Sequence, residues 1–295
     1  MQSADFLSAV FFYLKVGENL NQNWIVENLN NAFSTWNGKL GELWGLVTTG
    51  PQTFKGGAVW SVMQTLHNGM VGIGYALVVL FFAISLCKNT MNFHELKRPE
   101  AAIHYFLRFV AAKALVGYGM DIMLNVFSIC NGIVTDMADS MGGISEAMVS
   151  LPTEMQTAIE NVGFLASIPL WLVTILGSLL ITVLSFVMIL TVYGRFFRLY
   201  MYTALAPLPL AAFAGESTQS VGISFLKSYV GVCLEGAVIV LACVIYSAFV
   251  STPTVASGEA TTIVWSYLAE TVFNMLVLVG LIKGSDRIIH EMMGL

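Results

Sequence analysis

Charge is what this sequence has least of. Only 11% of its 295 residues are Asp, Glu, Lys or Arg, against roughly 25% in an ordinary soluble domain. Hydrophobic residues reach 57% and the mean hydropathy is +0.77, so a water-soluble fold of this size could not cover its own surface. That scarcity excludes soluble enzymes, secreted disulfide scaffolds and free nucleic-acid binders together. The net charge of −5 excludes a broadly basic nucleic-acid surface as well. Cysteine is also scarce: Cys87, Cys130, Cys233 and Cys243 make no CxxC pair and no Cys/His spacing that would hold zinc or iron. The start, Met1-Gln-Ser-Ala-Asp5, lacks the positive segment of a secretory signal. Catalytic patterns are missing too. His94-Glu-Leu-Lys-Arg98 has arginine where a zinc-protease helix needs its second histidine, Gly72-Ile-Gly74 lacks the third glycine of a dinucleotide turn, and His67, His94, His104 and His290 are scattered. An enzyme is not expected, nor any cofactor.

What is present is apolar sequence in long runs. The expected fold is all-α: a polytopic transmembrane helix bundle with five spans, one proline-broken re-entrant segment and an amphipathic N-terminal helical region. Residues 1–58 hold no window of about 20 residues apolar enough to cross roughly 30 Å of hydrocarbon. Within them, Ile25, Leu29, Phe33, Trp36, Leu40, Leu43 and Val47 recur at helical spacing, with Glu27, Asn30, Asn37 and Glu42 between. That face belongs on a membrane surface, against the membrane bundle, or inside a small extramembrane subdomain. Gly50-Pro51 should end the helix. Residues 59–295 are expected to form the bundle, with spans near 66–87, 101–130 and 164–193 and two more after the proline segment.

Loop charges orient the spans. Lys88 to Glu100 carries Lys88, Lys97 and Arg98, whereas 131–163 is acidic with no Lys or Arg, which places the first inside and the second outside. Pro207 and Pro209 interrupt the short apolar stretch 199–215, and non-helical backbone at membrane depth is tolerated where protein or water covers it. If that stretch re-enters, the inner side holds Lys88, Lys97, Arg98, Arg108, Arg195, Arg198, Lys227, Lys283 and Arg287, and the outer side Lys15, Lys39 and Lys55. The expected plasma-membrane topology is therefore N-terminus outside and C-terminus in the cytoplasm.

Candidate site residues follow from charge in apolar surroundings, since an ionisable group at a span centre costs about 2.5–3.5 kcal/mol even on lenient scales. On a straight second span His104, Arg108, Asp121 and Asn125 share an arc of about 140°. Arg108 either snorkels or faces protein, while Lys113 and Asp121 lie deeper and suggest a paired structural role. Glu235 and Glu270, in the last two spans, should be partnered or protonated. The basic residues Lys88, Lys97, Arg98, Arg195, Arg198, Lys227, Lys283 and Arg287 are expected to contact partner proteins or anionic lipid, each worth about 1 kcal/mol near a negative leaflet. Gly72, Gly74, Gly117, Gly119, Gly231 and Gly236 would let helices approach closely.

The stretch from Val192 through Arg195, Arg198 and Ala206-Pro-Leu-Pro209, with its continuation Gly215 to Tyr229, resembles the TrbL-type polytopic inner-membrane subunits of conjugative type IV secretion systems. In that family basic residues end a span, an apolar Ala-Pro-x-Pro turn follows, and a Gly/Ser-containing stretch leads into another span. The resemblance is specific over 192–231 and loose over 60–290. It implies a channel or assembly subunit that helps pass DNA or protein across the inner membrane. It also implies contact with the secretion ATPase, bitopic membrane assembly subunits and further copies of itself, with the N-terminus outside. Many relatives carry a long soluble C-terminal region where this sequence stops at Leu295, so no function of such a region is carried over. The competing expectation is a secondary transporter using Pro207 and Pro209 as a broken-helix substrate site, although only one interruption and no internal repeat is present.

Overall fold

The computed structural model describes residues 2–90, 99–140, 148–162, 164–249 and 260–294, and among these every regular element is helical. In chain order they are α1 (Gln2–Thr48), a 3₁₀ turn (Phe54–Gly57), α2 (Ala58–Thr90), α3 (Pro99–Gly117), α4 (Gly119–Ser140), α5 (Thr153–Glu160), α6 (Phe164–Leu205), α7 (Pro207–Ala211), a 3₁₀ turn (Ala212–Ala214), α8 (Gln219–Phe249) and α9 (Ala260–Met293). Four helices are long and apolar enough to cross a membrane, and a fifth span results if the bent pair α3–α4 is counted as one. The expected all-α polytopic bundle is therefore what the chain forms, with a broken segment between α6 and α8.

The second span differs from its expectation. It is not straight: α3 and α4 meet at 73°. The break falls at Gly117-Tyr118-Gly119, where two residues of poor helix propensity flank an exposed tyrosine. The shared arc of His104, Arg108, Asp121 and Asn125 requires one axis, so it does not survive the bend.

The chain packs as two compact units. Unit 1 takes residues 1–45, 141–191 and 241–283. In it the apolar stripe of α1 is a packing face: Ile25, Leu29, Trp36 and Leu40 are fully enclosed, Trp24 stacks at a tilt on Trp171 of α6, and Phe33 meets the edge of Tyr267 on α9. Asn28 Nδ2 donates to Ser178 Oγ at 3.0 Å. Asn37 pairs with non-helical backbone, donating to Val149 O at 2.8 Å and accepting Val149 N–H at 2.9 Å, while Tyr267 Oη donates to Ser150 O. Of the three placements open to this stripe, burial against the spanning helices is the one realised.

Unit 2 takes residues 46–140, 192–240 and 284–295. It contains α2, α3, α4, α7, the ends of α6 and α9, and the first part of α8.

Candidate functional site: buried arginines beside a proline turn

Proline at 207 has no N–H, so the carbonyl of Thr203 four residues earlier loses its helical donor. Helix α6 accordingly ends at Leu205, and Pro207 opens α7 as its first residue, a position that suits proline. Thr203 is only 2% exposed, and an unpaired carbonyl there would be costly. His67 of α2, itself buried, supplies the donor: its Nδ1 lies 2.7 Å from Thr203 O. Because a carbonyl can only accept, this bond fixes the imidazole with hydrogen on Nδ1. Glycines let the turn come close. A Cβ on Gly74 would sit 2.9 Å from Val116 Cγ1 and 3.0 Å from both Pro207 Cβ and Pro207 O, and one on Gly119 would sit 3.2 Å from Leu210 Cδ1 and 3.4 Å from His67 Cε1. The proline segment is thus covered by α2 and the α3–α4 bend, with Pro207 buried and Pro209 half-buried.

His67→Leu should lower stability by about 1–3 kcal/mol, the cost of an orphaned buried acceptor. His67→Gln, which keeps a donor, should recover part of that loss. Melting temperatures of the purified variants in one detergent check both; an unchanged value for His67→Leu would show that the bond carries no weight.

Arg195 is the centre of the second feature. Expected as a partner or lipid contact, it is instead fully enclosed, and its guanidinium is spent on backbone. Nη1 donates to Val47 O at 3.3 Å, Nε to Val232 O at 3.3 Å and Nη2 to Cys233 O at 3.1 Å. The first of these acceptors is another proline orphan, since Pro51 stands four residues after Val47. The same helix end receives Asn131 Nδ2 on Thr48 O at 3.2 Å and Tyr200 Oη on Pro51 O at 2.9 Å. A cation at a helix C-terminus also meets the negative end of its dipole. The other two acceptors lie within α8, where Gly236 leaves room. A Cβ there would fall 2.8 Å from Nη1 and Nη2. By sequence, Gly236 is a point of close helix contact; what approaches it in the fold is a guanidinium.

Arg198, one turn on, faces carboxylates. Its Nη2 lies 2.7 Å from both oxygens of Glu235, and its Nη1 lies 2.6 Å from Asp286 Oδ1. Ser285 Oγ donates to Glu235 Oε1 at 3.2 Å. Glu235 is 1% exposed, so its expected partner exists and comes from its own chain. Two cations, Arg195 and Arg198, are gathered with two anions, Glu235 and Asp286, and the group is formally neutral. Neutrality is what makes such a cluster tolerable in apolar surroundings. Chemically it is a fastening: it joins α6, α8 and the end of α9, while Arg195 adds the end of α1.

The other candidates are dispersed. Lys88, Lys227, Lys283 and Arg287 are exposed, Arg287 pairing with Glu291 one turn away at 2.8 Å. Lys97 and Arg98 lie outside the described residues, as do His94 and Glu146. Arg108 is half-buried and donates to Gln219 Oε1 at 3.1 Å. Lys113, Asp121 and Glu270 are exposed and make no ion pair among the described residues. No group of three or more His, Cys, Asp or Glu able to hold a metal occurs among the described residues. Cys130, Cys233 and Cys243 are buried free thiols, as small apolar residues should be, and Cys87 is exposed.

Sequence reasoning misses His67. The signal for it is half present: Pro207 announces an orphaned carbonyl, but only the fold brings up a donor 136 positions away.

No curated protein and no solved structure matches the chain. A family model does, over residues 36–207, under the description TrbL/VirB6 plasmid conjugal transfer like protein. The matched stretch runs from the buried Trp36 through Arg195 and Arg198, and it closes on Pro207. It covers more than half of the sequence, so the chain belongs to the TrbL/VirB6 family of plasmid conjugal transfer proteins.

Proposed function

We propose that this protein is a channel-forming or assembly subunit of a conjugative type IV secretion machine, working without catalysis of its own while partner ATPases supply the energy. Membership of the family makes it a multi-pass membrane component of conjugal transfer. The finer reading is that it helps pass DNA or protein across the plasma membrane, as a homo-oligomer. Bitopic assembly subunits would flank it, and the secretion ATPase would dock at its cytoplasmic face. The observation that carries the assembly role is the use made of the intramembrane charge. Arg195, Arg198, Glu235 and Asp286 close on one another and on backbone carbonyls, so in this chain they fasten helices and offer no open cationic or anionic path. Any conduit for a large polar cargo would then lie between chains.

Exposed Lys88, Lys227, Lys283 and Arg287 are proposed as contacts for cytoplasmic partners or the negative leaflet, with the N-terminus outside and the C-terminus inside. The test is photo-crosslinking in donor cells from positions 88 and 283. Adducts with the secretion ATPase and with a second copy of the chain are expected. Recovery of the protein as a lone solute carrier, with neither adduct, would overturn the reading.

A further inference from the structure

Two charges of opposite sign stand uncovered on either side of the bend between α3 and α4, both in unit 2. Lys113 lies four residues before Gly117, where α3 ends, and Asp121 lies two residues after Gly119, where α4 begins. Measured along its own helix, each is within about 6 Å of the bend. Both side chains are exposed, and neither makes a hydrogen bond or an ion pair among the described residues. Lys113 is also deep. The 19 residues of α3 extend about 28 Å, close to the roughly 30 Å hydrocarbon core, and Lys113 comes about 21 Å along them. Its neighbours on the uncovered face, Phe106 and Val110, are 63% and 44% exposed. Lipid against that face would leave the ammonium without a partner, which hydrocarbon penalises.

The face that α4 leaves uncovered is polar. Asp121, Asn125, Ser128, Gly132, Asp136 and Asp139 are all exposed, and at 3.6 residues per turn they fall within an arc of about 80°. Met123, Phe127 and Val134 on the opposite side are buried. The helix is held in that orientation, since Tyr229 Oη donates to Met123 O at 2.8 Å and Asn131 Nδ2 to Thr48 O. The acidic stripe therefore meets water or polar protein, and it carries no cation of its own. Asp121 is its carboxylate at the bend; Asp136 lies about 22 Å further along α4. Copies arranged about an axis normal to the membrane hold each residue at one depth, so Lys113 of one copy and Asp121 of the next stand level with each other.

We propose that Lys113 of one copy pairs with Asp121 of a second copy of this chain, bringing the α3–α4 bends of the two together. The inference rests on the homo-oligomeric reading given above and adds to it the contact that joins the copies. Complementary charge selects the second copy as the occupant of this face. Each chain carries one uncovered charge of each sign at the bend, so a like neighbour neutralises both, whereas an acyl chain neutralises neither. The paired role expected of Lys113 and Asp121 is then met between chains and not within one.

The test co-expresses two full-length copies with different affinity tags and reads how much of one purifies from the membrane with the other. The wild-type tags should co-purify. Lys113→Glu in both copies should lower that recovery about tenfold, the loss of one charge-assisted hydrogen bond, and Asp121→Lys in both copies should do the same. Lys113→Glu on one copy with Asp121→Lys on the other should return recovery to near the wild-type level, because every contact between unlike copies again joins opposite charges. A salt bridge inside one chain, or a lysine reaching for water, cannot produce that rescue across chains. Asp136→Lys in place of Asp121→Lys should not rescue, and a rescue as full as that of Asp121→Lys would overturn the choice of Asp121. Wild-type tags that fail to co-purify would overturn the homo-oligomer and the pairing together. Recovery unchanged by Lys113→Glu in both copies, or no rescue by the mixed pair, would overturn the pairing alone. Where a reversal does not reach the membrane, Lys113→Cys on one copy and Asp121→Cys on the other serve instead, with the exposed Cys87 removed as Cys87→Ser. Oxidation of those membranes with copper phenanthroline should join the two tags through a disulfide, and no such product would overturn the pairing.

Discussion

Arg195→Leu is expected to be among the most destabilising single substitutions in the molecule, by about 3 kcal/mol or more. The side chain is fully enclosed and ends on three carbonyls. Its loss orphans Val47 O and leaves the Glu235, Asp286 and Arg198 group with a net negative charge. Arg195→Lys should rescue little, because one ammonium cannot span three acceptors laid out for a planar fork. The helical neighbour gives an independent handle. Gly236→Ala places a methyl where the guanidinium now lies and should cost about 1–3 kcal/mol by overpacking. In an Arg195→Leu background the same change should cost much less, since the obstacle is gone. Thermal unfolding of the four proteins completes a double-mutant cycle, and simple additivity would show that the two residues do not share the space.

Arg198→Gln should cost about 3–5 kcal/mol, because it takes the bidentate cation away from a buried carboxyl, Glu235. Glu235→Gln should be milder. Arg198 is 29% exposed and keeps Asp286 at 2.6 Å, so water and one carboxylate still serve it. Replacing both by glutamine should recover most of what Arg198→Gln loses, as removal of a whole buried pair often does. Arg287→Gln breaks an exposed pair on the same stretch of α9 and should change stability by less than about 0.5 kcal/mol. Salt should distinguish them further: the exposed pair weakens with ionic strength while the enclosed one does not. Equal effects of Arg198→Gln and Arg287→Gln would contradict the fastening role.

How far these residues are legible in the sequence depends on what each depends on. The stripe from Ile25 to Val47 is legible because a helical period needs only local sequence, and its burial follows once apolar helices exist to receive it. The spans are legible for the same reason, and so is the break at Pro207, which removes a donor whatever surrounds it. The bend at Gly117-Tyr118-Gly119 is not. Glycine inside an apolar run is tolerated in a straight helix, and the side chain that closes on this one comes from another helix: Tyr75 Oη would lie 2.7 Å from a Cβ on Gly117. Arg195 is visible as an arginine near a span end, where snorkelling to water is the ordinary outcome. Its inward turn depends on Pro51 having freed Val47 O and on Gly236 opening α8, two conditions far apart in the chain. His67 depends likewise on Pro207. Each proline declares an acceptor in advance, and only the fold supplies the donor. A boundary at residue 58 reflects hydropathy in chain order, whereas the compact units each draw on segments from both sides of it.

The role in conjugation can be measured by removing the gene from its own conjugative element and counting plasmid transfer from donor cells. Transfer should fall to background, return with the wild-type gene, and stay at background with Arg195→Leu even where that protein reaches the membrane. Undiminished transfer by the deletion would contradict a role in conjugation, and full complementation by Arg195→Leu would contradict the buried arginine's part in holding the subunit in its working form.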